Sequence, residues 1–232
     1  MFIGTMALAA VSASAYAGLG SHALHPYLAM AVLALATVTS RMKVKLPGVH
    51  GNMSVNLPFL LTAVVNLSAA EAILITCAST AVQCWPRKNA RINPQQMIFN
   101  VSMMALAGCL ACLIFHSQWL RPTNSSTLGL VLATATLFLA QTAPVAAVVA
   151  LSEGTAAPQI WWNLAQLSFP YYLVSAGVAS MMQTVNSHMG WGLALAMFPV
   201  MYGIHRSYAL YFSWMTETVY PQHLVRAARA GA

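Results

Sequence analysis

LPFLLTAVVNLSAAEAILITCASTAVQCW, residues Leu57 to Trp85, is the stretch whose reading decides the fold. Taken as one apolar run of about 28 residues it is long enough for a single tilted crossing of a bilayer, whose core of about 30 Å asks for about 20 helical residues. Its middle argues for two helices instead. Ser68-Ala69-Ala70-Glu71 has the spacing of a capping box, in which the serine hydroxyl accepts from a backbone N–H of the new helix while the glutamate accepts from the serine N–H. Two helices of about 10 and 15 residues are therefore expected, folded as a hairpin that returns to its own side. Non-helical backbone at such a bend is tolerated at membrane depth where protein or water surrounds it.

Immediately before the hairpin lies MKVKLPGVHGNMSVN, from Met42 to Asn56. Val44 and Leu46 alternate with lysines, Met53, Val55 and Leu57 alternate with Ser54 and Asn56, and 47–51 supplies turn chemistry. A surface loop or β-hairpin at 42–56 is expected. Outward from there, apolar helices are expected at about Phe2–Leu19, Pro26–Thr39, Asn93–His116, Ser125–Leu151, Gln159–Thr184 and Met189–Trp214. The fold class is then all-α, a polytopic transmembrane bundle of six full spans plus the short-helix hairpin. It divides into a transmembrane domain, 1–214, and a cytoplasmic C-terminal tail, 215–232. The first span ends in Ala15-Tyr16-Ala17, which looks like a signal-peptidase site, but it lacks a basic leading region and is retained as a helix.

Composition agrees with a membrane protein: 59% of residues are hydrophobic and 6% charged, with a mean hydropathy of +0.68, whereas a soluble domain carries roughly a quarter charged residues. The net charge of +7 would suit nucleic acid in a soluble chain, but here the basic residues sit between apolar spans and read as topology signals, so no nucleic-acid partner is expected. If the hairpin returns to its own side, Arg41, Lys43, Lys45, Arg87, Lys88, Arg91, Arg206, Arg226 and Arg229 share one face, the cytoplasmic one, and only Arg121 lies opposite. Trp85, Trp161 and Trp162 then mark the cytoplasmic interface, and Trp119 and Trp191 the outer one.

The chain has no aspartate and only Glu71, Glu153 and Glu217, so it cannot assemble paired carboxylates within one apolar site. No enzymatic activity is expected. Glu71, with Ser68, is a structural cap or an ion site. Cys109 and Cys112 are read as small packing residues rather than metal ligands, and His22 and His25 as polar caps. No metal and no cofactor is expected. Pro144, Pro170 and Pro199 each interrupt an apolar segment and have polar or aromatic company: Gln141 and Thr142; Gln166, Ser168, Tyr171 and Tyr172; Tyr202 and His205. A proline frees a carbonyl and bends its helix, so these residues are the candidates for lining a small-molecule pocket.

SRMKVKLPGVHGNMSVNLPFLL, VVALSEG, SFPYYLVSAGVAS and FPVMYGIHRSYALYF resemble the N-terminal multi-pass membrane region that precedes GGDEF diguanylate cyclase and HD-GYP phosphodiesterase domains in bacterial signalling proteins. The likeness spans about Met30 to Trp214 and implies a sensory or regulatory input module in the bacterial inner membrane, its C-terminus cytoplasmic. Such a module would bind a small apolar ligand or sense membrane state. It would signal through its last helix. The pattern departs at the end: after VYPQHLVRAARAGA no GGDEF or HD-GYP sequence follows, so the expectations are a module that works alone, one that acts on a separate output protein, or a piece of a longer chain. LPGVHGNMSVNLPFLLTAVVNLSAAEAILITCA is also similar, at fold level, to the substrate-binding components of energy-coupling-factor transporters. A solute-binding component serving a transporter protein is the alternative reading, and a structural subunit of a membrane complex is a third. The bilayer itself is a partner in every case.

Overall fold

The break at Ser68 is where the capping chemistry puts it. In the computed structural model, which describes residues 2–19, 26–45, 52–85, 93–117 and 126–189 with positions 199, 200, 202, 203, 206, 207 and 210 beyond them, Leu67 and Ser68 are both extended (φ −114°, ψ 166° and φ −65°, ψ 156°). They separate helix α3 (Leu57–Asn66) from α4 (Ala69–Cys84). The Ser68 hydroxyl accepts from the Glu71 N–H at 3.3 Å, and Glu71 Oε2 accepts from the Ser68 N–H at 3.0 Å and from its hydroxyl at 2.8 Å.

Around this hairpin stand α1 (Phe2–Leu19), α2 (Pro26–Ser40), α5 (Pro94–Phe115), α6 (Ser126–Glu153) and α7 (Ala157–Met189). Between α2 and α3, β1 (Lys43–Lys45) and β2 (Asn52–Ser54) pair antiparallel with Val44 opposite Met53, the ribbon expected from the alternation at 42–56. Its turn lies outside the described residues. So do His22 and His25, the basic residues Arg87, Lys88, Arg91, Arg121, Arg226 and Arg229, Trp119 and Trp191, most of the last expected span, and the tail at 215–232.

Long-range hydrogen bonds fix the directions. The Asn56 amide at the start of α3 donates to Ser79 Oγ, near the end of α4, at 3.5 Å, so the two helices run antiparallel. Arg41, just after α2, donates to the carbonyls of Val82 and Trp85 at 3.2 and 3.3 Å. The Val82 carbonyl also accepts from the Trp85 N–H at 3.2 Å, and a cation at this end of α4 is favoured by the helix dipole. The ends of α2 and α4 therefore lie side by side. That is the doubling back expected from the sequence.

Packing against α5 is equally specific. The amide of Asn100 donates to Cys84 Sγ at 3.4 Å, and His116 Nε2 lies 3.1 Å from the Val64 carbonyl. Between these contacts a Cβ on Gly108 would meet Thr76 Oγ1 at 3.1 Å, which is why a residue without a side chain stands there. Ala105, Ala107, Ala111, Cys109 and Cys112 are buried along the same helix, and Cys109 approaches the Ala13 carbonyl of α1 at 3.9 Å. Small residues of this kind let helix backbones approach closely.

The centre of the bundle is α3, whose residues from Leu57 to Val64 are all buried. It touches α2, α4, α5, α6 and α7. A helix apolar on every side has to be enclosed in this way. At the far end of α6, Gly154 adopts φ 68° and its N–H bonds to the Ala150 carbonyl at 2.9 Å, so the left-handed turn that glycine permits ends the helix and sends α7 back along it.

The expectation of six full spans is corrected. Among the described residues two helices are long and apolar enough to cross a membrane, Pro94–Phe115 and Ser126–Ser152. With 15 residues, α2 rises only about 22 Å at 1.5 Å per residue. The 18 residues of α1 rise about 27 Å. The 33 residues of α7 suffice in length, but Gln159, Asn163, Gln166, Ser168, Gln183 and Asn186 dilute their apolar character.

Candidate functional site

Two neighbouring tyrosines on α7 reach in different directions. Tyr171 is buried against the start of α3, where its hydroxyl oxygen accepts from the Leu57 N–H at 3.3 Å. The first N–H groups of a helix have no partner within it, and the usual donor of relief is the side chain at the N-cap. Asn56 holds that position but makes no side-chain cap, and its amide nitrogen donates to Ser79 Oγ. A residue 114 positions away therefore does the capping.

Tyr172 faces α6. Its hydroxyl donates to Gln141 Oε1 at 2.7 Å, and its ring meets Phe138 edge-on at 5.1 Å, with Phe169 against the other side of Phe138 at 5.9 Å. One residue on, Thr142 donates to the Phe138 carbonyl at 2.7 Å and accepts from the indole N–H of Trp161 at 3.1 Å. Further along α7, Met182 Sδ packs 3.7 Å from the hydroxyl oxygen of Thr62 in α3, whose proton goes to the Pro58 carbonyl at 2.8 Å. The result is a polar seam in which α7 is tied to α3 and to α6 at several levels. Pro170 stands in the middle of it.

Of the residues expected to line a pocket, the fold brings together Gln141, Thr142, Tyr171 and Tyr172. Ser168 is buried on the same face, but its hydroxyl bonds back to the Leu164 carbonyl at 2.7 Å. Gln166 is exposed and points away from the seam. Tyr202 is 54% exposed and is no part of a sealed site. Two participants went unforeseen. Trp161, expected at an interface, is half-buried and bonded to Thr142; Ser175, 1% exposed, lies one turn past Tyr172. The spacing 168, 171, 172, 175 is the buried stripe of a helix and contains the signal that locates Ser175.

Ser68 and Glu71 lie elsewhere, at the α3–α4 bend, and there form the reciprocal capping pair. No group of three or more histidine, cysteine, aspartate or glutamate side chains able to hold a metal occurs among the described residues.

Replacing Tyr171 by phenylalanine leaves the Leu57 N–H buried without an acceptor. A buried orphan donor costs about 1–3 kcal/mol, so Tyr171→Phe is expected to lower the thermal midpoint of the detergent-solubilised protein by several degrees, while Tyr27→Phe, at a site 90% exposed, leaves it unchanged.

No curated protein and no solved structure matches the chain. A family model does, that of MASE9, over residues 23–211. The match runs from just before α2, through the hairpin and the seam, to beyond α7. The chain belongs to the MASE9 family, a family of membrane-associated sensor domains.

Proposed function

We propose that this chain is a non-enzymatic sensory input module of the bacterial inner membrane. In it, the relative position of the α3–α4 hairpin and α6 is read by α7 and passed to an output protein through the C-terminal segment. The observation that carries this reading is the double attachment of α7: Tyr171 bonds to α3 and Met182 packs against it, while Tyr172 and Trp161 bond to α6. Movement of either neighbour strains one set of bonds or the other. Pro170, which has no N–H for the Gln166 carbonyl, makes α7 compliant at that level. A helix held this way has two arrangements available to it, and a stimulus that prefers one shifts the population.

Orientation follows from charge. Because α2 and α4 end together, the basic residues that follow each helix in the sequence, Arg41 to Lys45 and Arg87 to Arg91, are expected on one side, and the positive-inside bias favours the cytoplasm for it. From there α5 leads out and α6 returns. The basic C-terminal residues Arg206, Arg226 and Arg229 then favour a cytoplasmic end. The resemblance to input regions of GGDEF and HD-GYP proteins supports an output of that signalling class.

The stimulus is a small apolar ligand or the state of the bilayer, and hydrogen exchange tests the second directly. In the protein reconstituted in bilayers of short-chain and long-chain phosphatidylcholine, protection of the peptide Leu167–Met182 should differ several-fold, and Tyr172→Phe should flatten the difference. Equal protection in both bilayers, together with solute flux through proteoliposomes, would overturn the sensor in favour of a transport component.

A further inference from the structure

The face of α7 turned away from the bundle has a pattern of its own. Ser168, Tyr171, Ser175, Val178 and Met182 lie inward and are buried. On the opposite side Gln159, Asn163 and Gln166 are exposed, followed by Pro170, Leu173 and Gly177. The steps between these outward residues alternate between four and three. That is the repeat by which one helix keeps a single seam against a neighbour as the two supercoil.

The contacts with α6 set the depth of this face. Gln166 stands between Trp161, bonded to Thr142, and Tyr172, bonded to Gln141. Gln141 and Thr142 lie well inside Ser126–Ser152, one of the helices long and apolar enough to cross a membrane. At 1.5 Å per residue they are about 15 Å or more from its nearer end, and half a hydrocarbon core is about 15 Å. The exposed Gln166 amide is thus near mid-bilayer. Polar side chains at that depth face protein or a water-filled cavity, because hydrocarbon offers an amide no hydrogen bond.

We propose that the outward stripe of α7 is the docking surface for a second copy of this chain, in a parallel two-fold pair. Copies inserted with the same topology bring their α7 helices together parallel, and about a two-fold axis along the membrane normal each seam position meets its own twin. A primary amide suits such a pair: it donates through N–H and accepts through C=O, so Asn163 and Gln166 can each serve their twins in both directions. In the repeat Asn163 takes the a position and Gln166 the d position, and a buried asparagine at a fixes register and favours two strands. Gly177, two repeats after Asn163, has open space where a Cβ would stand, room for the approach of a second backbone. The stripe is uncharged in a chain of net charge +7, so self-pairing sets no like charges opposite one another. Trp162, Phe169 and Met181 flank it as an exposed apolar rim. None of the amides on this face takes part in the bonds to α3 or α6, so pairing does not depend on what the module senses.

The parent chain supplies the first test. Energy transfer between donor- and acceptor-labelled full chains in liposomes should exceed that of random encounter and fall on dilution with lipid. Removing one amide, in Asn163→Leu or Gln166→Leu, should weaken pairing by about 3- to 20-fold. The second test maps the face. With the four native cysteines replaced by alanine, Leu173→Cys and Gly177→Cys should form disulfide-linked dimers several-fold faster than the off-stripe Phe169→Cys and Val174→Cys when membranes are oxidised with copper phenanthroline.

Transfer no greater than random at every lipid ratio, or cross-linking that is equal around the helix, would overturn the pair. Cross-links from Leu173→Cys to a different protein would overturn the second copy in favour of a foreign partner. A monomer in which Gly177→Cys is shielded from a lipid-soluble maleimide would also overturn it, and would assign the stripe to another segment of the same chain. Hydrogen exchange in Leu167–Met182 judges the sensory reading separately, since a monomer can respond to bilayer thickness and a pair can fail to.

Discussion

Cysteines placed singly at Lys45 and at Lys88, in a chain whose four native cysteines are replaced by alanine, are expected to react with an impermeant maleimide from the same side of the membrane. The effect is all or none. Lys45 follows α2 and Lys88 follows α4, and the ends of those helices are joined by the bonds from Arg41 to the Val82 and Trp85 carbonyls. The antiparallel contact of Asn56 with Ser79 gives the same answer independently. A single crossing between the two positions would require the ends of α2 and α4 to part by the thickness of the hydrocarbon core, about 30 Å. Labelling in intact cells, compared with inverted vesicles, makes the measurement. Reaction from opposite faces would contradict both sets of bonds and remove the basis for a cytoplasmic C-terminus.

The second large effect is expected at Glu71. Its carboxylate accepts from the N–H and the hydroxyl of Ser68 while itself being buried. In Glu71→Ala the Ser68 N–H loses its acceptor at a part-buried bend, at a cost of about 1–3 kcal/mol. The Ser68 hydroxyl still accepts from the backbone N–H at position 71, so the N-cap bond itself survives. A destabilisation of about 1–3 kcal/mol should appear in chemical unfolding of the purified protein. Glu71→Gln keeps an oxygen at the same place and should recover most of it. This pair separates a cap from an ion site, because an ion site needs the charge that glutamine removes, whereas a cap needs only the acceptor. Failure of glutamine to restore stability would favour the ion site.

How much was legible in the chain depends on distance along it. The bend at Ser68 could be read because its four residues contain the whole interaction, and the ribbon because alternation at Val44, Met53 and Val55 is a local pattern. The helices from α1 to α7 were placed to within about five residues. Their number as membrane crossings was not, since apolar character marks a helix as buried or lipid-facing without saying which, and α2 and α3 are shorter than a crossing. At the seam, the prolines drew attention to several residues that the fold brings together, but Gln166 was grouped with Ser168 although two residues on a helix stand about 200° apart. Tyr171 as the cap of α3 was beyond reach: nothing local to Leu57 or to Tyr171 announces a partner more than a hundred residues away.

The enclosure of α3 by later helices has a consequence for how the chain is made. Leu57 to Cys84 leave the ribosome before α5, α6 and α7 exist, yet α5, α6 and α7 supply most of the walls around them. The nascent segment has no finished cavity to enter. Its final seat forms only when α7 arrives with Tyr171, so the part of the molecule synthesised near the middle of the order is the last to come to rest.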